Sequence, residues 1–507
     1  MLSFLQGALY AFDSIRNKFT GRLAIWAYYF RLYGSAWPLG GTMSWAEEEM
    51  AMVDLGDKRL NLRAATLLET LGAKPDSSIP AKTKGKAEMA AAYRFFDNDR
   101  VDEQKILAPH YQRTIERMGR ESVVLCIEDT TQIDFTTQGE TEGLGPLYRS
   151  FQRGIFLHPM LALTPNRECL GLLGAKFFVR DIEEKGSPKQ EKAKRKKKAQ
   201  RDIEEKESFR WIDGYCRMND IAKTTSSQLI YCADRESDID ELLTASQNQP
   251  GKLLIRARHD RLVGDEENED EQERMWNTVW ESPILGHHEF EKAARPGHRA
   301  RLVRQTIRSM PVTFPPNAKR DYPITVNVII AHEENPPIGE EAVSWTLLTT
   351  LNVTSLADAQ LIINYYRCRW EIEIYFKTLK TGCAIEKLQL QTAERLTSAI
   401  ALYMIIACRI LWITKAGRAT PDIPCDTFFE EDEWKTAYSC STGKPPPKKA
   451  PRLLDIIIMI AKRGGFIGRK SDGFPGTKTL WIGLGEIRAY LDIHQLLSNL
   501  KQSGKLM

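Results

Sequence analysis

Two carboxylates sit where a buried strand runs out. SVVLCIEDTT (residues 122–131) is a β-branched apolar run ending in acids and hydroxyls. It reads as a buried strand that delivers Asp129 at its carboxyl end. QLIYCADRES repeats the pattern and delivers Asp234. Carboxylates held at strand ends can converge, and an all-oxygen acidic site suits Mg²⁺. One such aspartate is more often a cap or turn former, and two are only suggestive. A third acid comes from NYYRCRWEIEIYFKTLKTG, which reads as one helix. Tyr366, Arg369, Glu373 and Lys380 follow one another at three, four and seven residues. At about 100° per residue they fall within about 60° of one another. One face then shows a carboxylate flanked by a phenol, a guanidinium and an ammonium. That suits a metal ligand placed among phosphate clamps. Taken alone, the segment better suits a surface stripe in which Glu373 pairs with Arg369 or Lys377.

The elements that must position these groups can be read from the pattern around them. The 507 residues are 42% hydrophobic and 27% charged, the make-up of a globular protein of several domains. That excludes a mostly disordered chain, a collagen-like chain and a coiled-coil rod. FLHPMLALT, GLLGAKFFVR and KLLIRARH are further strands, and residues 265–350 form a second β-rich stretch. Residues 43–118 are helix-rich, with Ser44 as an N-cap and Pro75 and Pro80 marking a loop; residues 355–413 return to helical periodicity. The fold class is α/β, a mixed sheet with helices. The run Ala399–Ile413, broken by Arg409, is too short for a bilayer and reads as a buried helix. None of the nine cysteines forms a Cys-x-x-Cys pair, which argues for a reducing compartment and against a zinc ribbon. Residues 1–42 are aromatic, Gly-rich and weakly patterned, with no signal-peptide pattern. They are expected to be a dispensable or non-native extension ahead of a natural start at Met43.

Net charge is only +4, but it is unevenly spread. Lys58, Arg59, Arg63, Lys74, Lys82, Lys84 and Lys86 face only Glu69 and Asp76 within residues 58–86, and residues 441–507 are also basic. Two basic ends suit a polyanion, although many basic surfaces bind nothing. The Lys192–Lys198 cluster reads as a solvated loop or as a track for flanking DNA.

The Tyr366–Arg369–Glu373–Lys380 pattern resembles the signature of DDE transposases of the insertion-sequence-four family, which includes the Tn-five transposase. IEDTT around Asp129, ADRESDI around Asp234, Arg256 in LLIRARH and Trp345 in SWTLLTT match as well. The likeness runs from about Trp45 to the GGF and Trp481 region. It implies a helical DNA-end-binding domain over 43–118 and a ribonuclease-H-like catalytic domain over 119–413. Within the latter it implies an inserted β-rich subdomain at about 265–350. A helical dimerisation domain would fill 414–507. Asp129, Asp234 and Glu373 would be the catalytic acids and hold two Mg²⁺ ions per active site, with Mn²⁺ able to substitute.

The implied activity is cut-and-paste transposition. The enzyme would bind the terminal inverted repeats of its element, cleave the ends through a hairpin, and join the 3′ ends to target DNA. Its partners would be double-stranded DNA and a second copy of the chain, with no membrane, in the bacterial cytoplasm at the nucleoid. Tyr366, Arg369 and Lys380 would contact DNA. Arg235 and Arg256 would contact phosphates, or Arg235 would brace the acidic pocket. Trp345 would stack on a flipped base or serve as strand core. Trp370 would line the DNA or pack in the core. Lys58, Arg59, Arg63, Lys82, Lys84 and Lys86 would supply phosphate and base contacts. His158 reads as a supporting or core residue. Ile374, Tyr375 and Phe376 depart from close relatives, which can carry additional polar residues there. Two other readings remain: a non-catalytic DNA-binding regulator or inhibitor, and a metal-dependent nuclease of the same fold. A paired-carboxylate glycosidase is disfavoured, because neighbouring Arg and Lys are expected to lower the carboxyl pKa values.

Overall fold

A computed structural model describes residues 44–83, 85–149, 151–181, 201–264, 273–292, 298–469 and 472–502. The 1–42 extension, Lys84 and the Lys192–Lys198 cluster lie outside the described residues.

The chain opens with helices α1 (Trp45–Glu49), α2 (Lys58–Ala73), α3 (Ile79–Lys82), α4 (Lys86–Phe96) and α5 (Glu103–Met118). Ser44 and Glu47 close a capping box on α1, satisfying donors that a helix start leaves open. Strands follow: β1 (Val123–Glu128), β2 (Thr131–Asp134), β3 (Gly145–Pro146), β4 (Arg153–Leu163) and β5 (Cys169–Phe178). Helix α6 (Phe209–Ala222) leads to β6 (Gln228–Ala233), α7 (Asp240–Ala245) and β7 (Lys252–Arg256). The stretch beyond holds β8 (Leu262–Val263), β9 (Glu273–Arg274), α8 (Met275–Glu281), β10 (Gly286–Lys292), β11 (Arg301–Phe314), β12 (Ile324–His332) and β13 (Ser344–Thr349). Helices α9 (Leu356–Arg367), α10 (Glu371–Lys377), α11 (Ala393–Ala419), α12 (Glu431–Thr442), α13 (Leu453–Arg463) and α14 (Thr477–Gln502) complete the chain.

Two compact units result. One takes the chain up to Arg120 together with Lys377 onward, and the other takes Glu121–Phe376. In the helical unit, α11 is long and apolar enough to cross a membrane by length and composition, yet 89% of its most apolar window is buried. Its Arg409 lies over the Trp45 ring and 3.9 Å from Glu433, which gives the buried cation partners. Burial alone accounts for the apolar run.

The sheet unit is built on strands in the order β10-β11-β12-β13-β7-β6-β1-β4-β2, with β3 and β5 also pairing β4. β1, β6 and β7 are mutually parallel; the other pairings in this sheet are antiparallel. Parallel strands covered on both faces need continuous apolar runs, and Leu229–Ala233 are fully buried. In the stretch at about 265–350, expected to be an inserted β-rich subdomain, β10–β13 continue the central sheet: β13 pairs β7 at Leu347↔Arg256, Leu348↔Ile255 and Thr349↔Leu254. The edge of β7 is thereby paired.

The signature segment is not one α-helix. A 3₁₀ turn at Cys368–Trp370 separates α9 from α10, and a π turn at Thr378–Gly382 follows α10. A 3₁₀ turn overwinds and a π turn underwinds the chain, so a constant 100° step fails at both places.

Candidate active site

Asp129 is the first residue past β1 and Asp234 the first past β6. Those strands are parallel neighbours with Ile127 opposite Cys232, so both aspartates leave the same end of the sheet side by side. Each is held by its own backbone. Thr130 N donates to Asp129 Oδ1 at 2.7 Å, and Glu236 N donates to Asp234 Oδ1 at 2.8 Å, capping a 3₁₀ turn at Arg235–Ser237. Arg369 Nη1 donates to Asp129 Oδ2 at 2.7 Å, both side chains being 15% exposed.

The Asp129 carboxyl is pushed up to about 7, chiefly by burial. The charges of Asp234 and Glu373 push the same way, and Arg369 pulls against them. For Asp129 this overturns the expectation that neighbouring basic residues hold the carboxyl low: one guanidinium does not outweigh desolvation plus two like charges. Arg369 in turn lies within the field of Tyr366, Asp129, Asp234 and Glu373, which together hold its pKa up against burial. Three acids from three separate segments therefore share one electrostatic neighbourhood. Among the described residues, no three Asp, Glu, His or Cys side chains are drawn together closely enough to read as a formed metal cage.

Arg256 is the last residue of β7, the parallel neighbour of β6, at the same end of the sheet. Burial lowers its pKa, with Arg235 and Arg369 adding to the effect, and its Nη2 donates to Ser344 O at 3.0 Å. Arg235 is exposed. Tyr366 is buried, and burial raises its phenol despite Arg369 and Arg256 nearby. Trp345 is half-buried. It stacks on Phe290 with ring centroids 5.7 Å apart at 17°, and lies edge-on to Tyr366 at 6.1 Å. Arg367 covers Phe290 at 4.2 Å. Trp370 is 61% exposed, so it is not core.

Lys380 belongs to the helical unit, in the π turn, with its Nζ 3.9 Å from Glu386. Of the N-terminal basic residues, Lys58, Arg59 and Lys86 are exposed and Arg63 is half-buried; Arg59 pairs with Asp57. Lys82 is a correction. Its side chain is buried, its Nζ donates to Tyr403 Oη at 2.7 Å and to Pro75 O at 3.2 Å, and burial drives its pKa down to about 7. An ammonium engaged inside the helical unit is not a phosphate contact. Tertiary packing, which the run of lysines in sequence does not show, decides this.

Sequence reasoning missed the polar layer behind Asp129. Glu128 is 4% exposed and accepts from Tyr231 Oη at 2.5 Å. His158, read as supporting or core, is buried, with Nε2 3.3 Å from Glu128 Oε2, Nδ1 2.9 Å from Thr130 Oγ1, and its ring edge-on to Trp211. Gly214 on α6 packs so tightly that a Cβ there would overlap the Glu128 carboxylate. The only sequence signal was an acid-acid pair, Glu128-Asp129, at a strand end, where one acid faces inward.

Three family models match the chain. They are described as Transposase DNA-binding, over residues 42–101; Transposase DDE domain, over 177–409; and Transposase Tn5 dimerisation domain, over 405–501. Asp234 and Glu373 fall inside the second span and Asp129 ahead of it.

Proposed function

Given a chain that belongs to the DDE transposases and resembles the Tn5 transposase, with DNA-binding and dimerisation models at its two ends, we propose that it carries out cut-and-paste transposition. It binds the terminal inverted repeats of its own element, pairs two ends as a homodimer, cleaves them through a hairpin and joins the 3′ ends to target DNA. The catalytic acids in this reading are Asp129, Asp234 and Glu373, on a ribonuclease-H-like core over 119–413. The helices of 43–118 bind the DNA ends, and those of 414–507 pair the subunits in the cytoplasm. The observation that carries it is the pair of parallel neighbouring strands that deliver Asp129 and Asp234 side by side at one end of the sheet, with Arg369 on Asp129.

DDE domains generally use divalent metal, and the residues fit one. The donors are all carboxylate oxygens, and their crowding is what a hard divalent cation relieves. Asp129, Asp234 and Glu373 would hold two Mg²⁺ ions, which when bound activate the attacking hydroxyl and stabilise the leaving oxygen. Arg369, paired with Asp129, would meet phosphate oxygens in this reading, with Arg256, Arg235, Tyr366 and Lys380 as further DNA contacts. Trp345, held between Phe290 and Tyr366, is preorganised to stack on an extruded base, and exposed Trp370 lines the same strand. Lys58, Arg59, Arg63, Lys84 and Lys86 grip the end DNA.

The test uses the protein, Mg²⁺ and a plasmid carrying the DNA that flanks this reading frame, run beside Asp129→Asn. Metal-dependent release of a discrete fragment, absent in the variant, is the expected result. End binding without cleavage would favour a non-catalytic regulator. Nicking without end specificity would favour a simple nuclease of the same fold.

A further inference from the structure

Arg210 lies on α6, behind the strand ends, and its side chain is 9% exposed. All three guanidinium nitrogens are engaged. Nε donates to Thr130 Oγ1 at 3.0 Å, Nη2 to Glu236 Oε2 at 3.1 Å, and Nη1 to Glu207 O at 2.6 Å. The first two partners matter because of what they adjoin. Thr130 donates its N–H to Asp129 Oδ1, and Glu236 donates its N–H to Asp234 Oδ1. One planar fork therefore spans the two turns that present the two aspartates. The ring of Trp211 packs against the guanidinium at 5.1 Å, and Thr130 is pinned from its other side by His158.

We infer that Arg210 is a positioning residue that fixes the spacing of Asp129 and Asp234. It rests on the reading of those two aspartates as metal ligands. Among the described residues, Arg210 is a side chain that bonds both turns. The strands fix where the turns begin and each turn holds its own carboxylate, and the guanidinium ties the one turn to the other. A guanidinium suits the task because its donors lie in one rigid plane at fixed angles, whereas an ammonium is a single point that can serve one turn well. Partners that orient metal ligands in this way are typically worth about 10- to 100-fold in metal affinity or activity.

The experiment measures Mn²⁺ binding to the intact protein without DNA, by electron paramagnetic resonance, and then Mn²⁺-dependent cleavage. For Arg210→Met the expected result is Mn²⁺ affinity weaker by about 10- to 100-fold with unchanged end binding, and cleavage that recovers at high Mn²⁺. Arg210→Lys should fall between the two. Glu236→Ala removes one arm at a side chain that is 47% exposed, so the fold is not at stake, and should weaken Mn²⁺ several-fold. It decides the matter if Arg210→Met does not fold. Wild-type Mn²⁺ affinity in Glu236→Ala and in a folded Arg210→Met overturns the inference. Asp129→Asn is the separate control. If it binds Mn²⁺ like wild type, the assignment of the aspartates is wrong. If it loses Mn²⁺ while the Arg210 and Glu236 variants keep it, only the brace is wrong.

Discussion

Replacing Asp129 with asparagine should make the metal-free protein more stable while ending its chemistry. The carboxyl has an ordinary value of 3.8 and is pushed up to about 7 in the fold. Those roughly three units correspond to about 4 kcal/mol at 1.36 kcal/mol per unit, the most that ionised Asp129 costs the folded state at alkaline pH. Asparagine keeps the shape and can still accept from Arg369, but Arg369 loses a charged partner and the amide brings its own donors. A net gain of about 1–3 kcal/mol at pH 8 is therefore expected. The sign with pH follows from the direction of the shift. A carboxyl raised by folding holds a proton that the unfolded chain has released, so wild-type stability falls as pH rises from about 4 through 7. The variant lacks that term, so its advantage opens across the same window and vanishes near pH 4. Thermal unfolding of both proteins in chelator at pH 4.5 and pH 8 measures it. Adding Mg²⁺ at 100 times its dissociation constant should restore about 2.7 kcal/mol to wild type and much less to the variant. A variant less stable than wild type at pH 8, or an advantage equal at both pH values, would refute the crowded-carboxylate account.

Lys58→Ala should weaken end-DNA binding and reduce the salt slope by about one, as loss of a phosphate contact does. Lys82→Met should leave that slope unchanged, because its ammonium is buried against Tyr403; titration of binding against salt separates the two. Gly214→Ala should lower stability by about 1–3 kcal/mol and impair cleavage, since the added methyl displaces the Glu128 carboxylate beside Asp129. Unfolding midpoints and the cleavage assay check it, and near-wild-type values for both would show that α6 can yield.

Much of this arrangement was legible. Apolar β-branched runs ending at Asp129 and Asp234 read as strands because burial on both faces demands such runs, and the two strands are parallel neighbours. What failed was whatever depends on partners far along the chain. The phase of Tyr366, Arg369, Glu373 and Lys380 assumed a uniform helix, whereas the 3₁₀ and π turns reset it. Lys82 looked like its lysine neighbours because charge density carries no record of Tyr403, more than three hundred residues away. How residues 265–350 join the central sheet was not legible, because β-richness does not reveal that Leu347 pairs with Arg256. The raised Asp129 carboxyl was misjudged because counting nearby arginines omits desolvation, the largest influence on it.

The ladder joining β13 to β7 also limits how this chain can vary between copies of its gene. Trp345 is two residues from Leu347, which pairs directly with Arg256, so hydrogen bonds rather than a hinge set its distance from the acids. Insertions before Ser344 or after Thr349 fall outside the strand and can be absorbed by the loops. Loss or gain of a single codon between Trp345 and Leu347 would turn the indole to the opposite face of the sheet while leaving every carboxylate in place. Such a copy would still fold and still carry its acids. Under the proposed role of Trp345, its defect would be in how it handles a DNA end, a lesion that inspecting the three acids alone would never find.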